Sequence, residues 1–251
     1  MPDQSPTTIS YGTDPSQFGE LWLPSAGASV PVVILIHGGF WRSTFGLDLM
    51  DPLAADLVTR GYAVWNIEYR RVGQSGGGYP GTLDDVAAAI DMLATVAEQY
   101  SLDLASAAVV GHSAGGHLAL WSAGRGQLAD GQPGSNPVVR PRLAIGQGPV
   151  VDLRAGDAAG LGGGAVTDFI GGSFDQFPER YEVATPSGTA AADVALVAVR
   201  SADDDIVPVQ FTVPDPPGDF DTVDVPGDHF AHIDPRSAAW RAVIDLIETE
   251  R

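Results

Sequence analysis

Two stretches of the chain set a serine between glycines at the spacing Gly-x-Ser-x-Gly: Gly73-Gln74-Ser75-Gly76-Gly77 and Gly111-His112-Ser113-Ala114-Gly115. In a chain with 31 glycines the pattern alone says little, so context must separate the two. Ala107-Ala108-Val109-Val110 reads as a strand running straight into Gly111, and Gly116-His117-Leu118-Ala119-Leu120-Trp121 continues as a helix. A strand, a tight turn and a helix lift a serine hydroxyl above a sheet edge and aim the positive helix end at a developing oxyanion. Ser75 has no helix after it until Thr82, and its segment reads as a glycine-rich loop at a strand end. The chemistry expected of Ser113 is attack on a carbonyl carbon.

Such a serine needs a base and an orienting acid, which follow an elbow of this kind in the order Ser, acid, His at the ends of later strands. Five histidines are present. His37 and His112 precede or abut the glycine turns, and His117 lies one helical turn past Ser113, pointing away from its hydroxyl. The strand Thr222 to Val225 ends at Pro226-Gly227, and Asp228-His229-Phe230 is the loop that follows. His229 is therefore the expected base, with His232 as the alternative. For the acid, Val194 to Val199 runs out into Asp203, Asp204 and Asp205, three adjacent candidates. Read instead as a hard-cation site, this triplet lacks the spaced oxygen ligands such sites need.

The elements that must position these groups are legible as texture. Val32 to Ile36 is a continuous β-branched and aliphatic run, as expected of a strand buried on both faces of a parallel sheet. The same texture recurs at Ala63 to Ile67, Ala107 to Val110, Leu143 to Ile145 and Val194 to Val199. Helical periods lie between, the clearest with Thr82 as N-cap, Asp85 three residues on, and Leu83, Val86, Ile90, Leu93 and Ala97 on one stripe. Trp240, Val243, Ile244 and Ile247 mark a last helix. This alternation predicts an α/β fold, a mostly parallel sheet with helices on both faces. Residues 1–18 are expected as an arm or edge strand, and residues 152–193, glycine-rich and long for a crossover, as a small cap, a lid or a flexible surface excursion. No composition break marks a second domain, so residues 1–251 read as one.

Composition closes several other routes. With no cysteine there is no disulfide framework, thiolate metal site or cysteine nucleophile. All thirteen basic residues are arginine, which removes lysine Schiff-base chemistry and a Walker-type phosphate lysine. A formal charge of -19 disfavours nucleic acid and anionic membranes as partners. No apolar run approaches the roughly 18 residues of a membrane span, and Met1-Pro2-Asp3-Gln4 lacks the features of a secretory signal, so a cytoplasmic protein is expected. Nothing in the pattern calls for a metal or an organic cofactor.

With these residues placed, the chain resembles an α/β-hydrolase of the esterase type. His37-Gly38-Gly39-Phe40-Trp41 after the first long strand is similar to the HGGxW motif of the arylformamidase (kynurenine formamidase) branch and related small acyl esterases. The resemblance runs from about Glu20 to Trp240 and includes the Ser113 elbow, Asp204-Asp205-Ile206-Val207-Pro208 and Gly227-Asp228-His229-Phe230 in order. It implies Asp204 as the acid, because the family's aspartate stands just before x-x-Val-Pro. It implies an oxyanion hole from the backbone N–H groups of Gly39, Phe40 and Ala114, with Gly38 shaping the turn. Trp41 would pack near the acyl or leaving-group pocket, or else serve as a core aromatic. One departure is Val213-Pro214-Asp215-Pro216-Pro217-Gly218, whose prolines forbid the helix the family usually carries there. The implied activity is cofactor-free hydrolysis of a small carboxylic ester or aryl formamide through an acyl-enzyme on Ser113. A non-hydrolytic enzyme or binding protein on the same scaffold, and a small serine peptidase, are the alternatives.

Overall fold

The β-branched runs become the centre of one sheet. Its strands are β1 (Thr7–Ser10), β2 (Phe18–Trp22), β3 (Val30–Ile36), β4 (Ala63–Ile67), β5 (Leu102–His112), β6 (Leu143–Gln147), β7 (Ala195–Arg200) and β8 (Phe220–Asp224), in the order β1-β2-β4-β3-β5-β6-β7-β8. β2 runs antiparallel to β1 and β4, and every other pairing is parallel. The computed structural model describes residues 5–25, 29–186, 194–214, 218 and 220–249.

Parallel strands covered on both faces have no polar side to alternate with, which is why β3 reads as an unbroken apolar run and β4 as one interrupted only by the buried Asn66. Along β3, Val32, Ile34 and Ile36 face one layer while Val33 and Leu35 face the other. The first layer is closed by α2 (Gly81–Tyr100) and α3 (Ala114–Gly124) with Trp65, Leu83, Ile90, Leu118 and Trp121. The second is closed by α1 (Asp51–Thr59) and α7 (Ala238–Thr249) with Leu53, Leu57, Trp240 and Val243. The expected α/β-hydrolase architecture is thus the observed one.

Three local expectations are corrected. α2 begins at Gly81, and Thr82 does not cap it: its hydroxyl donates to the Arg70 carbonyl and accepts from the Gly78 amide (3.0 Å). Asp85 is not a cap partner either, since it is buried against the Arg70 guanidinium at 2.7 Å. The segment after Asp152 is no loose excursion where it is described. It forms α4 (Leu153–Ala158), α5 (Leu161–Ile170, interrupted by left-handed backbone at Gly162, Gly163 and Gly164) and α6 (Pro178–Ala184), and buries Val166, Phe169, Ile170 and Tyr181 in the first layer. Residues 187–193 of that segment lie outside the described residues, as do residues 1–4 of the N-terminal arm, whose residues 7–10 form the edge strand β1. Between Pro208 and β8 the described residues hold one 3-10 turn, Val209–Phe211, consistent with the proline spacing. No helix of the described residues is long and apolar enough to cross a membrane.

Candidate active site

Ser113 stands between β5 and α3 at φ 57° and ψ -121°, a conformation that costs a non-glycine residue about 1–3 kcal/mol. The flanking glycines make the turn possible. A Cβ on Gly111 would lie 2.0 Å from the Gly115 carbonyl oxygen, and one on Gly115 would lie 2.2 Å from that of Ile36. The Ser113 amide donates to the Gln147 carbonyl at 2.8 Å, fixing the turn to the end of β6. Ser75 lies in an exposed turn and is not among the residues lining the cavity that Ser113 shares with His229.

Of the three adjacent aspartates only the middle one turns inward. Asp203 and Asp205 are exposed, whereas Asp204 is buried and its Oδ2 meets His229 Nδ1 at 2.6 Å. Its other oxygen, Oδ1, accepts from the Ile206 and Val207 amides at 3.0 and 2.8 Å. Burial pushes this carboxyl up, but the hydrogen bonds from His229 and the two amides outweigh it and hold Asp204 below the usual carboxylate range. A carboxylate so held fixes His229 with its proton on Nδ1, leaving Nε2 free to act as a base. His232, the alternative base, is buried and neither of its ring nitrogens has a hydrogen-bond partner among the described residues. The 3-10 turn His229–Ile233 that carries both is capped by the Asp228 side chain, which accepts from the Phe230 and Ala231 amides.

The His-Gly-Gly turn lies directly against the nucleophile, for a Cβ on Gly38 would come within 2.9 Å of Ser113 Cβ. Gly39, Phe40 and Trp41 all have positive φ, at 112°, 53° and 55°, so the turn is left-handed through three residues. Gly39 and Phe40 line the same cavity as Ser113 and His229, and Ala114 is the first residue of α3, whose amide has no acceptor within the helix. The cavity has a volume of about 180 Å³, and the rest of its wall is Phe45, Leu49, His112, Ile206 and Phe230. A larger cleft of about 490 Å³ lies at the far end of α3 between Tyr79, Trp121 and Glu179, away from every candidate residue.

Trp41 is not among the residues that line the cavity, and of the two placements expected for it the structure favours the core aromatic. Its indole is fully buried, stacks on Phe169 at 4.7 Å, and donates through Nε1 to His117 Nδ1 at 3.3 Å. His117 Nε2 in turn faces the Ala184 carbonyl at 2.8 Å. A positive φ at residue 41 swings the ring inward, and Trp41 takes the core alternative as a tie between the glycine turn, α3 and α6.

Burial holds His117 down to about 4, and burial followed by charge on His229 does the same to His232. Both are therefore neutral in the fold, while the unfolded chain protonates them near 6.5. The unfolded state binds more protons between these values, so this stabilisation is complete above pH 6.5 and is lost as the pH falls toward 4. The thermal midpoint should decline over that interval and His117→Gln should flatten the decline; identical slopes for the two proteins would contradict the assignment.

Sequence reasoning missed Gly148, which follows β6 at φ 52°. A Cβ there would lie 3.0 Å from Asp204 Oδ2, 3.2 Å from His229 Nδ1 and 3.3 Å from His232 Cδ2. Gly148→Ala is expected to displace the acid–base pair and lower kcat by roughly ten- to a hundredfold. An unchanged kcat in steady-state assays would show that the pair has room to shift. The apolar wall residues Phe45, Leu49, Ile206 and Phe230 were also missed, because nothing in a lone apolar residue between glycines and aspartates distinguishes cavity lining from core.

The sheet order, the serine at the strand-to-helix turn and the acid–base pair on the loops after β7 and β8 define an α/β-hydrolase by fold. Residues 20–213 match the family model described as BD-FAE, and the chain belongs to that family. Carboxylesterase NlhH of Mycobacterium tuberculosis is 34% identical over 113 residues, which are 45% of this chain and 34% of the relative. The kynurenine formamidase of Danio rerio is 31% identical over 113 residues, 44% of this chain and 36% of the relative. The chain thus spans about a third of the length of these curated relatives. Among solved structures, a truncated carbohydrate esterase from gut microbiota has a TM-score of 0.80 at 20% identity, covering 100% of this chain and 98% of that one. At that identity the likeness concerns the fold.

Proposed function

We propose that the chain is a serine hydrolase that cleaves small, uncharged carboxylic esters. The observation that carries this reading is the buried Asp204–His229 pair, whose histidine shares a cavity with a serine held in a strained elbow. Ser113 Oγ attacks the carbonyl carbon as His229 Nε2 takes its proton, and the oxyanion is stabilised by the Gly39, Phe40 and Ala114 amides. Collapse expels the alcohol, which leaves with the proton from His229. Water then attacks the acyl carbon, giving a proton to His229, and Ser113 departs with that proton as the acid is released. Asp204 stays ionised throughout and stabilises the imidazolium.

The lining of the cavity supports an uncharged substrate. A wall of Phe40, Phe45, Leu49, Ile206 and Phe230 offers no counter-charge, so a charged acyl group would be desolvated without compensation. An aryl formamide is the second reading, supported by the HGGxW turn and by the formamidase relative.

Labelling with a fluorophosphonate, followed by intact mass and peptide mapping, tests the reading. One stoichiometric adduct on Ser113 is expected. An adduct on Ser75, or none, would give the lead to a non-hydrolytic or binding role. Parallel turnover of short-chain aryl esters and N-formylkynurenine separates the two substrate readings.

A further inference from the structure

His112 is the last residue of β5, immediately before Ser113, and its imidazole is buried under the His229–Ile233 turn. Its Nε2 lies 3.1 Å from the carbonyl oxygen of His229, so Nε2 carries the proton and donates. Its ring centroid is 4.5 Å from that of His229, with 45° between the planes. Burial above all, and then positive charge on His229 and His232, holds His112 well below the ordinary histidine range. The ring is therefore neutral, with the tautomer that the carbonyl demands.

Beside it, Gln147 at the end of β6 grips the same turn at its other end, its Nε2 donating to the His232 carbonyl at 2.5 Å. Two adjacent parallel strands thus each send one side-chain donor to one carbonyl of the turn that bears the base. The Gln147 carbonyl also accepts from the Ser113 amide, so nucleophile and base hang from the same two strand ends. The side chains that meet the His229 ring are Asp204 at Nδ1, His112 on one face and Phe230 at its edge, and none carries a second positive charge.

We propose that His112 is a positioning residue for the base: its Nε2–H holds the His229 carbonyl, and its ring keeps the His229 imidazole turned between Asp204 Oδ2 and Ser113. This rests on the serine-hydrolase reading and adds to it a reason why histidine occupies the variable place in Gly-x-Ser-x-Gly. An aliphatic side chain would leave the buried carbonyl without its donor, and a charged one would set a permanent charge against the base or its acid.

The test compares His112→Gln, His112→Asn and His112→Ala in the full chain. Glutamine can set its amide nitrogen where the imidazole Nε2 sits, whereas asparagine is too short. His112→Ala and His112→Asn are expected to lower kcat for a short-chain aryl ester about 30- to 100-fold with KM changed less than about twofold, and His112→Gln to recover most of the loss. The downfield proton NMR resonance of His229 Nδ1–H, bonded to Asp204, should persist in wild type and His112→Gln and broaden or vanish in the other two. Should the alanine variant fail to fold, the Gln and Asn pair still decides. Equal kcat and an intact resonance in all variants would overturn the proposal, as would a glutamine variant as impaired as the alanine one. If wild type neither labels at Ser113 nor turns over ester, the hydrolase reading falls. The resonance, which needs no turnover, then decides the positioning role alone.

Discussion

Ser113→Ala is expected to lower kcat for a short-chain aryl ester by about 10⁵- to 10⁶-fold while leaving the fold intact. The magnitude follows from the single route by which this site can act: without Oγ there is no acyl-enzyme, and the cavity supplies only binding and the oxyanion amides. Alanine retains the Cβ that makes φ 57° and ψ -121° costly, so the strain of the elbow is kept and the thermal midpoint should stay near that of wild type. Glycine at the same position relieves that strain, and Ser113→Gly should be the more stable of the two inactive proteins. Differential scanning calorimetry beside the rate assay reads both effects. A Ser113→Ala protein keeping more than about a tenth of wild-type activity would falsify the nucleophile assignment, since loss of a triad member costs far more.

Asp204→Asn is expected to lower kcat about 10⁴-fold, by presenting an amide that favours the wrong tautomer of His229. Asp203→Asn and Asp205→Asn serve as controls of equal charge change. Both side chains are exposed, and neither meets His229, so each should stay within about twofold of wild type. Equal losses across the three variants would mean that the acidic triplet acts through its general field, not through one placed carboxylate. The contrast is sharp because the neighbouring residues differ only in which way the backbone turns them.

That same triplet shows where sequence reasoning reaches and where it stops. The strands from Val30 to Arg200 were legible because burial on both faces leaves no polar alternation to confuse the pattern. Ser113 and His229 were legible because strand texture on one side of each constrains what must follow. Asp204 was not separable from its neighbours by residue type, and a motif resemblance chose it; the structure distinguishes it by burial and by the two amides on Oδ1. Trp41 was left between two placements for a different reason. A left-handed backbone at a bulky residue is not written in local sequence, so the direction of its ring could not be read. Gly148 was invisible because its constraint comes from three side chains, all of them more than fifty residues away. The capping role assigned to Thr82 failed through competition, since the Arg70 carbonyl and the Gly78 amide claim its hydroxyl first.

Arg42 joins the glycine turn after β3 to the helical segment that follows Asp152. Its amide closes the glycine turn by donating to the Gly39 carbonyl, while its guanidinium reaches the Gly162 and Gly163 carbonyls and the Asp168 carboxylate. The Phe40 ring rests against the same left-handed glycines, where a Cβ on Gly162 would come within 2.6 Å of it. Recombination that exchanges the 153–170 segment for that of another chain of this fold therefore also exchanges the support of the Gly38-Gly39 turn. A chimera keeps its rate only if the incoming segment brings bare backbone where Phe40 lies and acceptors where Arg42 ends. Modules for shuffling this scaffold are bounded by that arginine's hydrogen bonds, and the helix ends are the wrong place to cut.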